Sequence, residues 1–328
     1  MGFKLFAPPT KHKDPGNYVY PNLTDSTGSL NELPYTFLDE RRICDLLDSE
    51  EPYWASKRNR KLVTIKGNET IINAMEIMAK NQILSLPVVE PENEKEFMGF
   101  IDMVDIIHSI LCYYTTNENT KNCENQSKYD NFIPVDFRGT LRQLISEVFQ
   151  KDIHRVIVFN DDADGIGILS QTDMIKYFLE NLDSLGECVH KSVDELKLID
   201  NKVISMHENG ISIHAFYLML FHAVPGIAIV NENNDLVSSI SLSDLRGLNA
   251  DSYPNLLKPT GEFLNNKKTI TCTKETSLEV LMLTMFEHKI HRVWVVDSKE
   301  SKKCIGVITM VDIMKYFATY YGAKLATK

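Results

Sequence analysis

Asp312 stands three residues after Thr309, where a short apolar run gives way to a helical pattern. That spacing is a capping box: hydroxyl and carboxylate each satisfy a free backbone N–H of the first helical turn. The same turn carries the positive end of the helix dipole, a setting that suits anions. Taken alone, Asp312 reads as a cap. It is not alone. Asp173 follows Ser170 by three residues, Asp244 follows Ser241, and Asp105 follows Asp102. The four aspartates are separated by steps of 68, 71 and 68. Ahead of two of them stands a basic pair, His154-Arg155 and His291-Arg292, 19 and 21 residues before the aspartate. Self-similarity at a fixed period makes a repeat a better account than four accidental caps.

The elements that must position these residues can be read from the same repeat. His154 to Phe178 and His291 to Phe317 both run basic pair, apolar strand, polar turn, second apolar strand, helix. Even the helices agree, Asp173-Met-Ile-Lys-Tyr-Phe178 against Asp312-Ile-Met-Lys-Tyr-Phe317. Upstream of each strand pair lies an amphipathic helix. Leu141, Leu144, Ile145, Val148 and Phe149 mark one, and Leu278, Leu281, Met282, Met285 and Phe286 another, at i, i+3, i+4, i+7, i+8 spacing. In the first repeat Ile71, Ala74, Met75 and Met78 share a face, and both methionines read as core. Each unit is strand-helix-strand-strand-helix. This predicts an α+β fold of four β-α-β-β-α repeats whose sheets must be covered, so that they pack as two pseudo-symmetric pairs. The expected limits are an irregular Pro-containing tail over 1–35, repeats over 36–115, 132–183, 184–250 and 251–323, and a polar, Asn-rich linker over 116–131. The first repeat is expected to open on a short helix, Phe37 to Leu47, and the third to carry a helix over Ile211 to Phe221.

Composition narrows the class. The chain has 328 residues, 43% apolar and 24% charged, an ordinary globular balance large enough to hold a core without metal or disulfide. A net charge of −10 argues against an open nucleic-acid groove. The six cysteines show no C-x-x-C spacing and read as reduced cytosolic thiols. No uninterrupted apolar run of membrane-spanning length occurs, and Phe6 stands where a myristoylation signal needs Ser or Thr. No metal-protease, nucleophile-elbow or P-loop motif is visible, so the chain reads as non-enzymatic. The expected location is cytoplasmic. Lys57-Arg-Asn-Arg-Lys61 leaves a nuclear address or phosphate patch open, although such a cluster is more often a solvated turn.

With these motifs in hand, Gly167-Ile-Leu-Ser170-Gln-Thr-Asp173 and Gly306-Val-Ile-Thr309-Met-Val-Asp312 resemble the G-x-x-[ST]-x-x-D signature of the CBS (cystathionine β-synthase) domain. Four copies, two with His-Arg before the central strand, are similar to the gamma subunit of AMP-activated protein kinase. The resemblance covers residues 36 to 323. It implies paired repeats, or Bateman modules, that bind adenosine-containing ligands in clefts between repeats. It further implies ribose contacts from Asp105, Asp173, Asp244 and Asp312, hydroxyl contacts beside them from Ser170, Ser241 and Thr309, and phosphate contacts from His154, Arg155, His291 and Arg292. A carboxylate offers acceptors that match paired O–H donors, Arg grips phosphate bidentately, and His adds a donor or a titratable cation. The ligand implied is an adenine nucleotide, AMP, ADP or ATP. The partners implied are the catalytic and scaffold subunits of a kinase complex, with no nucleic acid and no membrane.

Three positions depart from the pattern. Counting from the motif aspartates, Leu84-Ser85 and Pro225-Gly226 occupy the places of His-Arg. Asp102 stands where the motif has Ser or Thr, and a carboxylate there repels phosphate unless a cation or proton intervenes. An interaction scaffold with vestigial clefts, or one for another adenosyl ligand such as a dinucleotide, is therefore the alternative reading. His214 and His222 lie on a helix and read as ordinary surface or packed residues.

Overall fold

The computed structural model describes residues 36–58, 62–115, 133–162, 164–249, 251–265, 267–298, 300 and 302–326. The tail and the linker expected from the sequence lie outside these residues, as does Cys123.

Apolar alternation and helical stripes resolve into four three-stranded sheets. They are β1 (Ile65–Lys66), β2 (Ser85–Glu90) and β3 (Asn93–Asp102); β4 (Pro134–Asp136), β5 (Arg155–Phe159) and β6 (Gly165–Ser170); β7 (Ser205–His207), β8 (Gly226–Val230) and β9 (Leu236–Ser241); β10 (Thr271–Cys272), β11 (Arg292–Val296) and β12 (Cys304–Thr309). In every sheet the first strand is parallel to the second and the second antiparallel to the third. Parallel neighbours need a crossover. The helices Ile71–Asn81, Ser212–His222 and Leu278–Glu287 supply it in three repeats. In the second repeat the expected stripe is helical but changes pitch, from α over Leu141–Gln143 to π over Leu144–Val148 and 3₁₀ over Phe149–Lys151, and all five stripe residues are buried. Met78 is buried and Met75 packs beside it, in line with the core reading.

The helix after the third strand differs between repeats. It runs over Met103–Thr115, Gln171–Glu180 and Met310–Ala326, but in the third repeat it stops after one 3₁₀ turn, Leu242–Leu245. Arg246 is already extended and Gly247 has φ 84°, a left-handed conformation that glycine adopts at no steric cost.

The lead-in to the first repeat departs from the expected single helix. Thr36–Glu40 and Ile43–Leu47 are separate helices, split where Arg42 forms a bridge to Thr140. A third helix, Pro52–Arg58, follows; Glu51 accepts from the N–H groups of Tyr53 and Trp54, and Pro52 suits a first helical position. Leu38, Ile43, Leu46, Leu47 and Trp54 are buried with the second and fourth repeats, not with the first repeat they precede.

Two core clusters close the assembly. One joins the helices of the second and fourth repeats, with Phe178 and Phe317 ring centroids 4.4 Å apart; the other joins those of the first and third. The sheets pair the other way. Phe97 meets Phe159 edge-on between the first and second repeats, and Ala228, Leu236, Trp294 and Val296 pack between the third and fourth. The expected pairing is therefore present, and helix packing joins the two pairs into a closed ring of four.

Candidate functional site

Each motif aspartate opens its helix as the spacing requires. Asp173 Oδ2 accepts from the Ser170 N–H and hydroxyl, both at 2.7 Å; Asp312 Oδ2 accepts from the Thr309 N–H at 2.8 Å and hydroxyl at 2.6 Å. Asp244 Oδ2 is held the same way by Ser241. One carboxylate oxygen is thus committed to the cap, and the other decides what a ligand could meet. At Asp173 it accepts from the Tyr53 hydroxyl and the Lys57 ammonium, both at 2.7 Å, and the side chain is fully buried. At Asp244 it is paired with Lys267. Asp312 is half-buried, and among the described residues no side chain reaches its outer oxygen.

Asp102 substitutes for the missing hydroxyl. Its Oδ1 accepts from the N–H groups of Val104 at 2.7 Å and Asp105 at 3.1 Å, while Asp105 accepts from the Asp102 N–H. Burial pushes the Asp102 carboxyl up against the pull of those amides and of the nearby Arg155 and His154 charges. The nearby Arg155 guanidinium is the cation that tempers its repulsion of an anion.

The absence of arginine from the first and third repeats has a structural explanation. Arg155 Nη1 donates to Ser85 Oγ at 2.7 Å, crossing to the first repeat. Arg292 lies over Gly226 of the third repeat, where an added Cβ would sit 1.6 Å from its Nη1. Ser85 and Gly226 hold the places of arginine in their own repeats, so in each pair of sheets one repeat gives the cation and the other the room. Arg292 is deeply enclosed; burial pulls its guanidinium down, against Asp244 and Asp152, yet it stays a cation.

At the centre of the ring lies a cavity of about 250 Å³. Leu62, Val63, Ile83, Pro87 and Ile168 form an apolar wall, and Ser85, Ser170, Thr172 and Asp173 supply polar atoms. His154, Arg155 and His291 face it, joined by Lys57 and Arg246. His154 is oriented by Gln171 Oε1 at 3.3 Å, and Gln171 is itself fixed by the carbonyls of Phe149 and Ile153. His291 is accessible to the water of the cavity yet surrounded by protein. Burial, then Arg292, Arg155, His154 and Arg246, push its imidazole down to about 4. The four basic groups around it give this part of the cavity a positive character.

The cavity thus gathers Asp173, Ser170, His154, Arg155 and His291. Asp105, Asp244, Asp312, Ser241, Thr309 and Arg292 lie outside its lining. Two contributors escaped the sequence. Lys57 belongs to the cluster that reads as a solvated turn, but it is an ion-pair partner at the cavity wall. Arg246 carries no motif, and only the truncated helix turns it inward. His214 is exposed and His222 packs edge-on to Phe221, as ordinary helix residues do.

Residues 58–112, 130–180 and 261–319 match the CBS domain, half of the chain in all. The chain belongs to the CBS domain family. The third CBS repeat falls outside those matches, but its sheet has the same strand order. The chain is 22% identical to Protein SDS23 of Scheffersomyces stipitis, over 84% of this chain and 70% of that relative. It is 23% identical to the SNF1-related protein kinase regulatory subunit gamma-like PV42a of Arabidopsis thaliana, over 79% of this chain and 92% of that one. Among solved structures, protein MJ1225 of Methanocaldococcus jannaschii superposes with a TM-score of 0.62 at 20% identity, covering 80% of this chain and 98% of its own. The fold is thus shared with a protein of distant sequence. Among the described residues, no helix is long and apolar enough to cross a membrane.

Proposed function

We propose that this CBS-repeat protein is a non-enzymatic regulatory subunit that binds an adenine nucleotide, AMP, ADP or ATP, in clefts between repeats and relays occupancy to a protein kinase complex. The observation that carries the reading is the central cavity. An apolar wall suited to a base faces cations from the second and third repeats and from the lead-in helix, with the imidazole of His291 from the fourth beside them. Asp312 is the carboxylate best placed to take ribose hydroxyls, with one oxygen capped and one available. The resemblance to a gamma-like kinase subunit supplies the class of partner.

Titration calorimetry of the full chain against AMP, ADP and ATP, with S-adenosylmethionine as an adenosyl control, tests the reading. At least one nucleotide should bind saturably; no heat from any of them at millimolar concentration overturns it. The lysines paired with Asp173 and Asp244 favour a second reading, a CBS scaffold whose clefts have lost their ligands. That reading requires Asp312→Ala to leave nucleotide-induced thermal stabilisation unchanged, whereas loss of that stabilisation removes it.

A further inference from the structure

The caps at Asp173 and Asp312 are built alike, but different segments pass beside them. In each pair of sheets the lead-in to one repeat runs past the motif glycine of the other. The Lys57 carbonyl lies beside Gly167, and the Asp200 carbonyl lies beside Gly306. Lys57 and Asp200 are therefore counterparts, and only the lysine can pair with a motif carboxylate. The lead-ins also differ in length. From Arg42, bridged to the cap residue Thr140, to the start of β1 is 23 positions; from Ser192, bridged to the cap residue Ser277, to the start of β7 is 13. The surplus contains the helix Pro52–Arg58. That helix is well anchored: Trp54 is buried and donates to Glu180 at 3.0 Å, and Tyr53 packs on Phe286. Its Tyr53 and Lys57 take one oxygen of Asp173, Ser170 takes the other, and no acceptor is left for a vicinal diol.

The cations around the same cavity remain. Arg246 is there because the second helix of the third repeat ends at Leu245, which frees the arginine to leave the helical path. We infer that the cavity at Asp173 is an anion site that does not read a sugar: it takes a polyphosphate, organic or inorganic, on Arg155, Arg246, His154, His291 and Lys57. Lys57 and Tyr53 stand where ribose hydroxyls would, and the apolar wall accepts a base without needing the sugar contact. The inference deepens the nucleotide reading and rests on it only for the natural source of the polyphosphate.

Calorimetry on the full chain decides it with three probes: ATP, 2′,3′-dideoxy-ATP and inorganic tripolyphosphate. Tripolyphosphate should bind the wild-type protein, and Arg246→Gln or Arg155→Gln should weaken it at least about tenfold, the loss of one charge-assisted contact. In an Asp312→Asn background, which keeps a capping side chain, ATP and dideoxy-ATP should bind within about twofold of each other. The inference is overturned if tripolyphosphate fails to bind at millimolar concentration, if neither glutamine variant weakens it, or if dideoxy-ATP binds tenfold more weakly than ATP in that background. Unchanged unfolding midpoints without ligand exclude misfolding of the glutamine variants; a variant that misfolds is replaced by Arg246→Lys, which keeps the charge, loses the bidentate grip and should retain intermediate affinity. Tripolyphosphate binding without any nucleotide binding would retire the nucleotide reading and leave this one standing. A sugar-dependent cleft at Asp173 would do the reverse.

Discussion

His291 shows how one side chain registers its surroundings. Burial and four neighbouring basic groups hold its imidazole near 4, below the ordinary value of 6.5. A base whose folded value is depressed binds its proton first in the unfolded chain. Its contribution to stability is therefore intact above about pH 6.5 and is lost as pH falls toward 4. Urea unfolding between pH 4 and 7 should show the wild-type protein weakening across that window and His291→Gln weakening less. Parallel curves for the two would refute the assignment. On the proposed reading, phosphate binding is a proton-uptake event, since an anion favours the imidazolium that burial and the neighbouring basic groups oppose.

Between elements, the decisive contacts are arginines that cross from one sheet to the next. Arg292 occupies the space above Gly226, and Arg155 reaches Ser85. Gly226→Ala should displace the Arg292 guanidinium and destabilise the protein by about 1–3 kcal/mol, as overpacking of a closed site does; the denaturation midpoint checks this, and no shift counts against it. From the sequence, Leu84-Ser85 and Pro225-Gly226 look like lost cations. They are the small halves of two interlocking pairs. No signal in either repeat alone could reveal this, because the arginine that needs the space lies some 70 residues away in the chain. The crossover helix of the third repeat is legible to one residue, expected over Ile211 to Phe221 and found over Ser212–His222, because a helical pattern is local. The lead-in helix Pro52–Arg58 is not, because its hydrophobic contacts, Tyr53 and Trp54, are adjacent and make no repeating stripe.

Across the molecule, sheets join the first repeat to the second and the third to the fourth, while helices join the first to the third and the second to the fourth. Each repeat thus has two neighbours, and a wound at one contact should spread. Phe178 is fully buried against Phe317 in the contact between the second and fourth repeats. Phe178→Ala should cost about 3–5 kcal/mol. Amide hydrogen exchange should then accelerate in Leu278–Glu287 and Met310–Ala326 as well as in the helix that carries the change. Acceleration confined to Gln171–Glu180 would mean that the repeats open independently.

The order of amino acids was enough to specify the unit: a hydroxyl and a carboxylate three apart, at a helix entry, after two strands, repeated at nearly constant spacing. Caps, strand pairs and amphipathic stripes are local, so a single chain spells them out. Which carboxylate is open was settled in three dimensions. Asp173 and Asp312 have the same motif, yet a lysine from a segment more than a hundred residues upstream closes one and not the other. The gathering of Arg246 with His154, Arg155 and His291 likewise depends on a broken helix and on ring closure. Charge acts across space, and what a charged side chain means depends on what folding brings within a few ångströms of it.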